Sequence, residues 1–431
     1  MSEPTPVSEK APAPVGSGGG KSIIKKIVKV VLMIIVLLAL IVGYVLKFET
    51  PSHSAPTEAA KPIVASGDEI LDSIHRGAEF LRIHQEADGN FSKGLVDPKP
   101  AFTALVVDAL AHSPDKYRMN TPFIKKAVEA IQRTKQPDGS FCTPRLGLQT
   151  YCTAIAVMAL ASLEDPSLQQ DIEAGKNYLL TTQNQDEDSI NLGGAGYSAG
   201  GKPSGDVSHN WVEAMRAAGV KDGKAMDNAK LFFSRLQNSE ENKKLAPGTA
   251  AGDDGGSYYR PGESKAGYDT TKDGLKVPKS YGLMSYAALK SFLHLNVDKH
   301  DKLVENSMRW IRSNYTLDEN KNIGADGLFY YYQTMAKALY IYDDPEIKTI
   351  DGQTHHWAEE LSKRLISLQE PDGSWHNTVS SQWMENDNVL VSGFVIRTLS
   401  ICHDQLEREK RNKAAAPAAP EKKEEKAPDG K

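Results

Sequence analysis

The sequence predicts an all-α protein, six helical hairpins closed into a double-layered helical barrel behind one transmembrane helix. Three observations predict it. A phrase of Gln, Gly and an aromatic residue recurs within residues 67–405. Each copy stands between an amphipathic helix and a more uniformly apolar one. Residues 27–46 are apolar apart from Lys29.

At the amino terminus, residues 1–21 hold Pro, Ala, Ser, Gly and Glu with almost nothing to bury, and are expected to be a disordered cytoplasmic tail. Residues 22–47 are expected to span a membrane, since about 20 apolar residues cross a hydrocarbon layer of about 30 Å. Lys21, Lys25, Lys26 and Lys29 precede the apolar run and only Lys47 follows closely. Positive charge stays inside, which predicts a single-pass membrane protein with a cytoplasmic amino terminus and an extracytoplasmic domain. A cleaved signal peptide would carry an apolar core of about 7–15 residues before a small-residue site. The nearest such site here ends at Ala55 and is followed by Pro56. Residues 48–66 read as a linker and 406–431 as a disordered Ala/Pro/Lys/Glu tail.

The repeat decides the fold reading. Its strong copies are Gln85, Gly89 and Phe91; Gln136, Gly139 and Phe141; and Gln369, Gly373 and Trp375. Weaker versions begin at Gly193, Gly255 and Asn314. Amphipathic stretches such as 70–84 and 123–134 alternate with apolar ones at 102–111, 150–161, 210–218, 281–293, 328–340 and 389–402. A helix with one apolar stripe lies outside and one apolar all round lies inside, so six units make six outer and six inner helices. In the phrase, Asp-Gly permits the sharp turn after a helix, the Gln amide ties neighbouring backbone ends, and the aromatic ring packs on the next hairpin.

Repeated before apolar helices, these residues resemble the signature of the prenyltransferase and squalene-cyclase (terpenoid cyclase/protein prenyltransferase) repeat family. The resemblance implies an α/α toroid across residues 67–405 with a cavity at its mouth. The chemistries it brings are not matched by the residues. Terpene cyclases of this kind use Asp-x-Asp-Asp, which is absent; Asp186-Glu187-Asp188 and Asp253-Asp254 lie in polar, Gly-flanked loops. The zinc ligands of protein prenyltransferases would fall on Pro278, Ser280 and Gln333, none a normal zinc ligand. Cys142 and Cys152 lack the Gly-Glu-Gln setting of a thioester. No metal and no cofactor are expected.

The remaining chemistry is sparse. A net charge of −5, with no basic stripe beyond the amino-terminal segment, excludes a nucleic-acid partner. Three cysteines without C-x-x-C spacing argue against a disulfide framework; a bridge between Cys142 and Cys152 stays open beside the reading of buried thiols. His355 and His356 point in different directions as neighbours, and Asp108 interrupts an apolar inner helix.

Six inner-helix starts should converge at one end of the barrel. They carry Phe102, Tyr151, His209 with Asn210 and Trp211, Tyr281, Tyr330 to Tyr332 with Gln333, and Trp383. Rings with hydroxyl or N–H groups are costly in a dry core, so these residues are expected to line a ligand cavity, with Gln333 and Asn210 orienting the ligand. The expected function is therefore binding of an isoprenoid-like or other apolar ligand, or of a protein partner, at the toroid mouth. An enzyme of isoprenoid conversion using an unrecognised acid, and a structural envelope protein, are the alternatives.

Overall fold

The computed structural model describes residues 65–92, 99–143, 146–242 and 244–415. The chain divides into two units, Met1–Ser52 and His53–Lys431, and every described residue belongs to the second.

Twelve α-helices alternate along the described residues: α1 (Glu69–Ile83), α2 (Lys99–Ala111), α3 (Pro122–Gln132), α4 (Gln149–Ser162), α5 (Gln169–Thr182), α6 (Gly205–Ala217), α7 (Lys224–Ser234), α8 (Gly282–His294), α9 (Lys302–Asn314), α10 (Leu328–Tyr342), α11 (Trp357–Ser367) and α12 (Asn388–Ala415). Two short antiparallel hairpins decorate the loops: β1 (Tyr268–Thr270) with β2 (Lys276–Pro278), and β3 (Glu346–Lys348) with β4 (Thr354–His356).

Helices α2, α4 and α8 are buried on nearly every face, whereas α3 and α9 bury one stripe. Burial sorts them into layers. The even-numbered helices pack in sequence from α2 to α12, and α12 returns to α2, closing an inner ring. The odd-numbered helices lie outside it; α3 packs on α2, α5 on α4, and α1 on the last inner helix, α12. The expected all-α toroid of six hairpins is the architecture observed.

Each turn that leads from an outer to an inner helix is tied to the start of the next outer helix. Gln85 Nε2 donates to its own turn at Gly89 O (3.1 Å) and to Phe123 O on α3 (2.8 Å). Gln183 reaches Ala225 O on α7, Gln237 reaches Leu303 O on α9, and Gln369 reaches Ser73 O on α1 at 2.9 Å. The last of these joins the sixth hairpin to the first. At Gly373, φ is +90°, and a Cβ there would stand 2.6 Å from Arg76 O, so only glycine lets the turn lie flat on α1. Gly89, Gly139, Gly193 and Gly255 occupy the same place in other hairpins.

The second phrase differs from expectation. Gln136 lies three residues before Gly139, not four, and its amide bonds only Thr134 O. Lys135 takes the place of the tying Gln: it bridges to Phe141 as Gln183 does to Ala195, and its ammonium sits 2.7 Å from Asp171 on α5. A second recurring device went unread in the sequence. The N–H at the phrase's aromatic position is received by a hydroxyl on the inner helix: Phe91 by Thr103, Phe141 by Thr153, Trp375 by Ser392. Ala195 and Ser257 are held likewise by Ser208 and Ser285.

Other expectations are corrected or fall outside the described residues. The membrane localisation is corrected: among the described residues no helix is long and apolar enough to cross a membrane. The longest, α12, has 28 residues but carries Arg397 in its middle and a charged second half. The expected span at 22–47, the tail at 1–21 and the linker up to residue 64 lie outside the described residues. The carboxy-terminal tail was expected to be disordered from residue 406, yet α12 continues to Ala415, supported by Glu407–Lys410 and Gln405–Glu409 contacts one turn apart. Finally, α6 starts at Gly205 rather than 210, because Asp206, Ser208 and His209 are polar residues that nonetheless face inward.

Trp375 is fully buried and its ring N–H donates to Leu365 O at 2.8 Å. Trp375→Ala should lower unfolding free energy in a urea titration by ~3–5 kcal/mol, the range for emptying an aromatic core site; a loss under ~1 kcal/mol would show the ring contributes little to hairpin packing.

Candidate functional site

The inner helices were expected to be apolar, yet five of them place charged or polar groups into the bore. Helix α8 carries one charged residue in an otherwise apolar run, Lys290, and it is 1% exposed. Its ammonium lies 2.5 Å from Glu213 Oε2 on α6. The other oxygen of Glu213 meets Lys337 of α10 at 2.6 Å. Lys290 also contacts His209 Nδ1 at 3.0 Å, and His209 Nε2 contacts the Tyr330 hydroxyl at 2.7 Å. Asn210 Nδ2 donates to the same hydroxyl at 3.0 Å and to Asp206 O at 2.9 Å. On the far side, Asp108 of α2 lies 3.4 Å from Arg397 Nε of α12 and 3.2 Å from His112 Nδ1.

These charges set one another's protonation. Burial pushes the Lys290 ammonium down to about 8 although Glu213 supports it. Burial and the Lys290 charge hold His209 well below the usual imidazole value, so the ring is neutral. Burial would raise both carboxyls, but Lys290 and Lys337 outweigh it at Glu213, and His112, Lys337 and Arg397 outweigh it at Asp108. Both carboxylates are therefore ionised.

Between these groups the bore keeps a cavity of about 10 Å³, room for roughly one water molecule. Its apolar side is Leu105, Ile155 and Met158, and its polar side is Asp108, Tyr151, Asn210, Tyr330, Gln333 and Lys337. Gln333 is 5% exposed, faces this cavity and makes no hydrogen bond among the described residues.

Of the residues expected to line a cavity, the structure brings together Tyr151, Asn210, Tyr330 and Gln333, with His209 directly behind Tyr330. The others point elsewhere. Trp211 donates its ring N–H to Leu179 O of the outer helix α5. Tyr331 and Tyr332 bond Thr316 O and Leu317 O in the loop after α9. Successive residues on a helix turn by about 100°, so Tyr330 faces the bore while its two neighbours face outward. Phe102 and Tyr281 are buried outside the cavity lining. Trp383 is 37% exposed at the mouth, in a left-handed backbone conformation.

A clasp ties residues at the amino-terminal ends of the inner helices. Lys265, from the long α7–α8 segment, bonds Asp206 at the start of α6, and its ammonium stands 4.5 Å from the Tyr259 ring and 4.3 Å from the Trp383 ring. Below it, Glu385 accepts the N–H of Tyr330 at 2.8 Å and the amide of Asn377 at 2.9 Å, fixing the start of α10. Burial pushes this carboxyl up to about 7.

Elsewhere the acids weighed against the cyclase pattern do structural work or stay in solvent. Asp254 receives Ser280 Oγ and Gly256 N, while Asp186 and Asp253 are exposed. Ser280 and Pro278 also hold Asn238, and the three cysteines are buried and free, so no bridge joins Cys142 to Cys152.

Two outcomes follow from the charges. Glu213→Gln leaves two buried ammonium groups without their shared counter-ion and should cost ~3–5 kcal/mol. Lys290→Met leaves Glu213 still paired with Lys337 and should cost ~1–2 kcal/mol by the same chemical denaturation. The reverse order would mean the cluster is not held by Glu213. For Glu385 the folded state takes up a proton that the unfolded chain releases between its ordinary 4.5 and about 7. Stability from this group is complete below that window and falls as pH rises through it, so Glu385→Gln should flatten the pH dependence of the melting temperature there; an unchanged slope would exclude Glu385 as its source.

No protein-family model matches the sequence, and no curated protein matches it. Solved structures do. The chain is similar to type II terpene cyclase MstE from Scytonema: a variant in complex with merosterolic acid A matches with a TM-score of 0.52 at 13% identity, over 78% of this chain and 98% of that one. An apo variant of the same enzyme matches at 0.50 and 13%, with the same coverage. Candida albicans protein geranylgeranyltransferase-I complexed with GGPP matches at 0.48 and 15%, over 76% of this chain and 90% of that one. The likeness to the cyclase is one of fold, and places this chain's architecture with the terpene-cyclase type of α/α toroid.

Proposed function

We propose that the toroid is a ligand-binding module, taking a small amphipathic molecule into its bore through the mouth at the inner-helix amino termini. The observation that carries this reading is Gln333. Its amide opens onto the cavity with no hydrogen-bond partner among the described residues, so it is free to bond whatever occupies that space. Around it the wall is apolar on the Leu105–Ile155–Met158 side and hydrogen-bonding on the other, the pattern of a small-molecule pocket. The cavity as it stands holds roughly one water, so entry of a ligand requires the bore to widen between Ile155 and Tyr330 as well as the Lys265 clasp to lift from Tyr259 and Trp383.

The bore chemistry supports binding over cyclisation. Protonating an alkene needs a carboxyl that keeps its proton in the cavity, and Asp108 and Glu213 are both ionised. Glu385 does hold a proton near neutrality, but it is committed to the α10 amides. An isoprenoid remains a fitting apolar body for the ligand: the similar cyclase binds merosterolic acid A, as its product complex records.

Native mass spectrometry of the purified full chain should show a retained small molecule, or saturable uptake of a medium-chain alcohol such as decanol. Ile155→Trp, whose ring exceeds the present cavity and blocks its apolar wall, should abolish that uptake while leaving the helical circular dichroism intact. Uptake that is unaffected by Ile155→Trp would place the ligand elsewhere and overturn the reading.

A further inference from the structure

Hydrogen-bond direction in the bore specifies what the cavity can receive. A lysine ammonium only donates, so His209 Nδ1, 3.0 Å from Lys290 Nζ, must accept. The neutral imidazole then carries its hydrogen on Nε2 and donates it to the Tyr330 oxygen. Asn210 Nδ2 must be the amide's nitrogen end, because it faces the carbonyl of Asp206, and its second hydrogen also goes to the Tyr330 oxygen. That oxygen thus accepts two bonds within the protein, and its own hydrogen is left to point into the cavity that Tyr330 lines. Gln333 and Lys337 line the same cavity, the first without a partner and the second with Glu213 as its one bonded partner.

The charge count agrees. Facing one another across the bore are three cations, Lys290, Lys337 and Arg397, against two carboxylates, Asp108 and Glu213. Asp206 is balanced by Lys265, and Arg216 turns away to the carbonyls of Val220 and Lys221. One positive charge is left over among groups that are buried, as Lys290 is, or partly buried, as Lys337 and Arg397 are.

We infer that the bore is built for a ligand bearing a single oxyanion, a carboxylate at one end of an apolar body, received by the Tyr330 hydroxyl, the Gln333 amide and the Lys337 ammonium. This rests on the binding reading above and narrows it. Tyr330 and Lys337 touch the carboxylate; His209 and Lys290 act through Tyr330 as positioning residues, holding its hydrogen toward the cavity. A phosphate monoester, carrying close to two charges, would exceed the one positive charge available.

Isothermal titration of the full chain with decanoate, decanol and decylammonium tests this. Decanoate should bind at least about tenfold more tightly than decanol, the scale of a charge-assisted hydrogen bond, and decylammonium more weakly than either. Tyr330→Phe, which keeps the ring, should remove most of the acid-over-alcohol preference with little change in decanol affinity. His209→Phe should do the same at a distance, a change in the ratio that loss of packing alone would not produce. Equal affinity for acid and alcohol, or a preference that survives Tyr330→Phe, would overturn the inference; if decanol still binds and Ile155→Trp still abolishes it, the binding reading survives. If none of the three binds, both fail together.

Discussion

The structure depends on one recurring constraint: each outer-to-inner turn must dock flat on the first turn of the next outer helix. A side-chain amide meets this need well, because its two hydrogens serve two carbonyls at once, one in its own turn and one on the neighbour. Gln85, Gln183 and Gln369 do so, while Gln237 gives both hydrogens to the neighbour, at Leu303 O and the Ser307 hydroxyl. Where the amide is absent another group spans the same gap, Lys135 to Asp171 and Tyr315 to Glu360. The docking of Gln369 and Gly373 on α1 is the step that converts a row of hairpins into a ring.

Ring closure is what makes the bore. None of the inner helices alone could bury a charge, yet Lys290 sits fully enclosed because α6 and α10 bring Glu213 and His209, and then Lys337, around it. The charged cluster lies on helices distant in sequence, α2, α6, α8, α10 and α12, while α4 brings Ile155 and Met158 together with Tyr151 and α2 adds Leu105 beside Asp108. Polar and apolar sides of one cavity are therefore set by which face of each helix turns to it.

The mouth is controlled separately. The longest connection, between α7 and α8, carries Lys265 across to Asp206 and the ring of Trp383. Trp383 takes a left-handed backbone conformation that costs an aromatic residue energy, and it packs over Gly327, where a Cβ would collide with the ring. Strain, an exposed ring and a caged ammonium thus meet at the entrance rather than in the core.

The sequence by itself determined the repeat, the alternation of outer and inner helices and hence the toroid, because those follow from local periodicity and from Gln and Gly at a short fixed spacing. It showed the repeat poorly where that spacing is broken: Gln183 and Gln237 do the same work as Gln85, but insertions separate them from Gly193 and Gly255. The hydroxyls of Thr103, Thr153 and Ser392 were hidden because a single hydroxyl in an apolar helix carries no pattern. For the site, Tyr151, Asn210 and Gln333 were legible as polar groups at helix starts; Lys290 was not, although a lone charge in an apolar helix is the signal that marks it. Which ring faces the bore, Tyr330 rather than Tyr331 or Trp211, was decided only in three dimensions, since a step of one residue rotates a side chain by about 100°. The pairing of Glu213 with both lysines, and the single positive charge left over, belong to the tertiary structure alone, because burial and the packing of residues 77 to 124 positions apart set them.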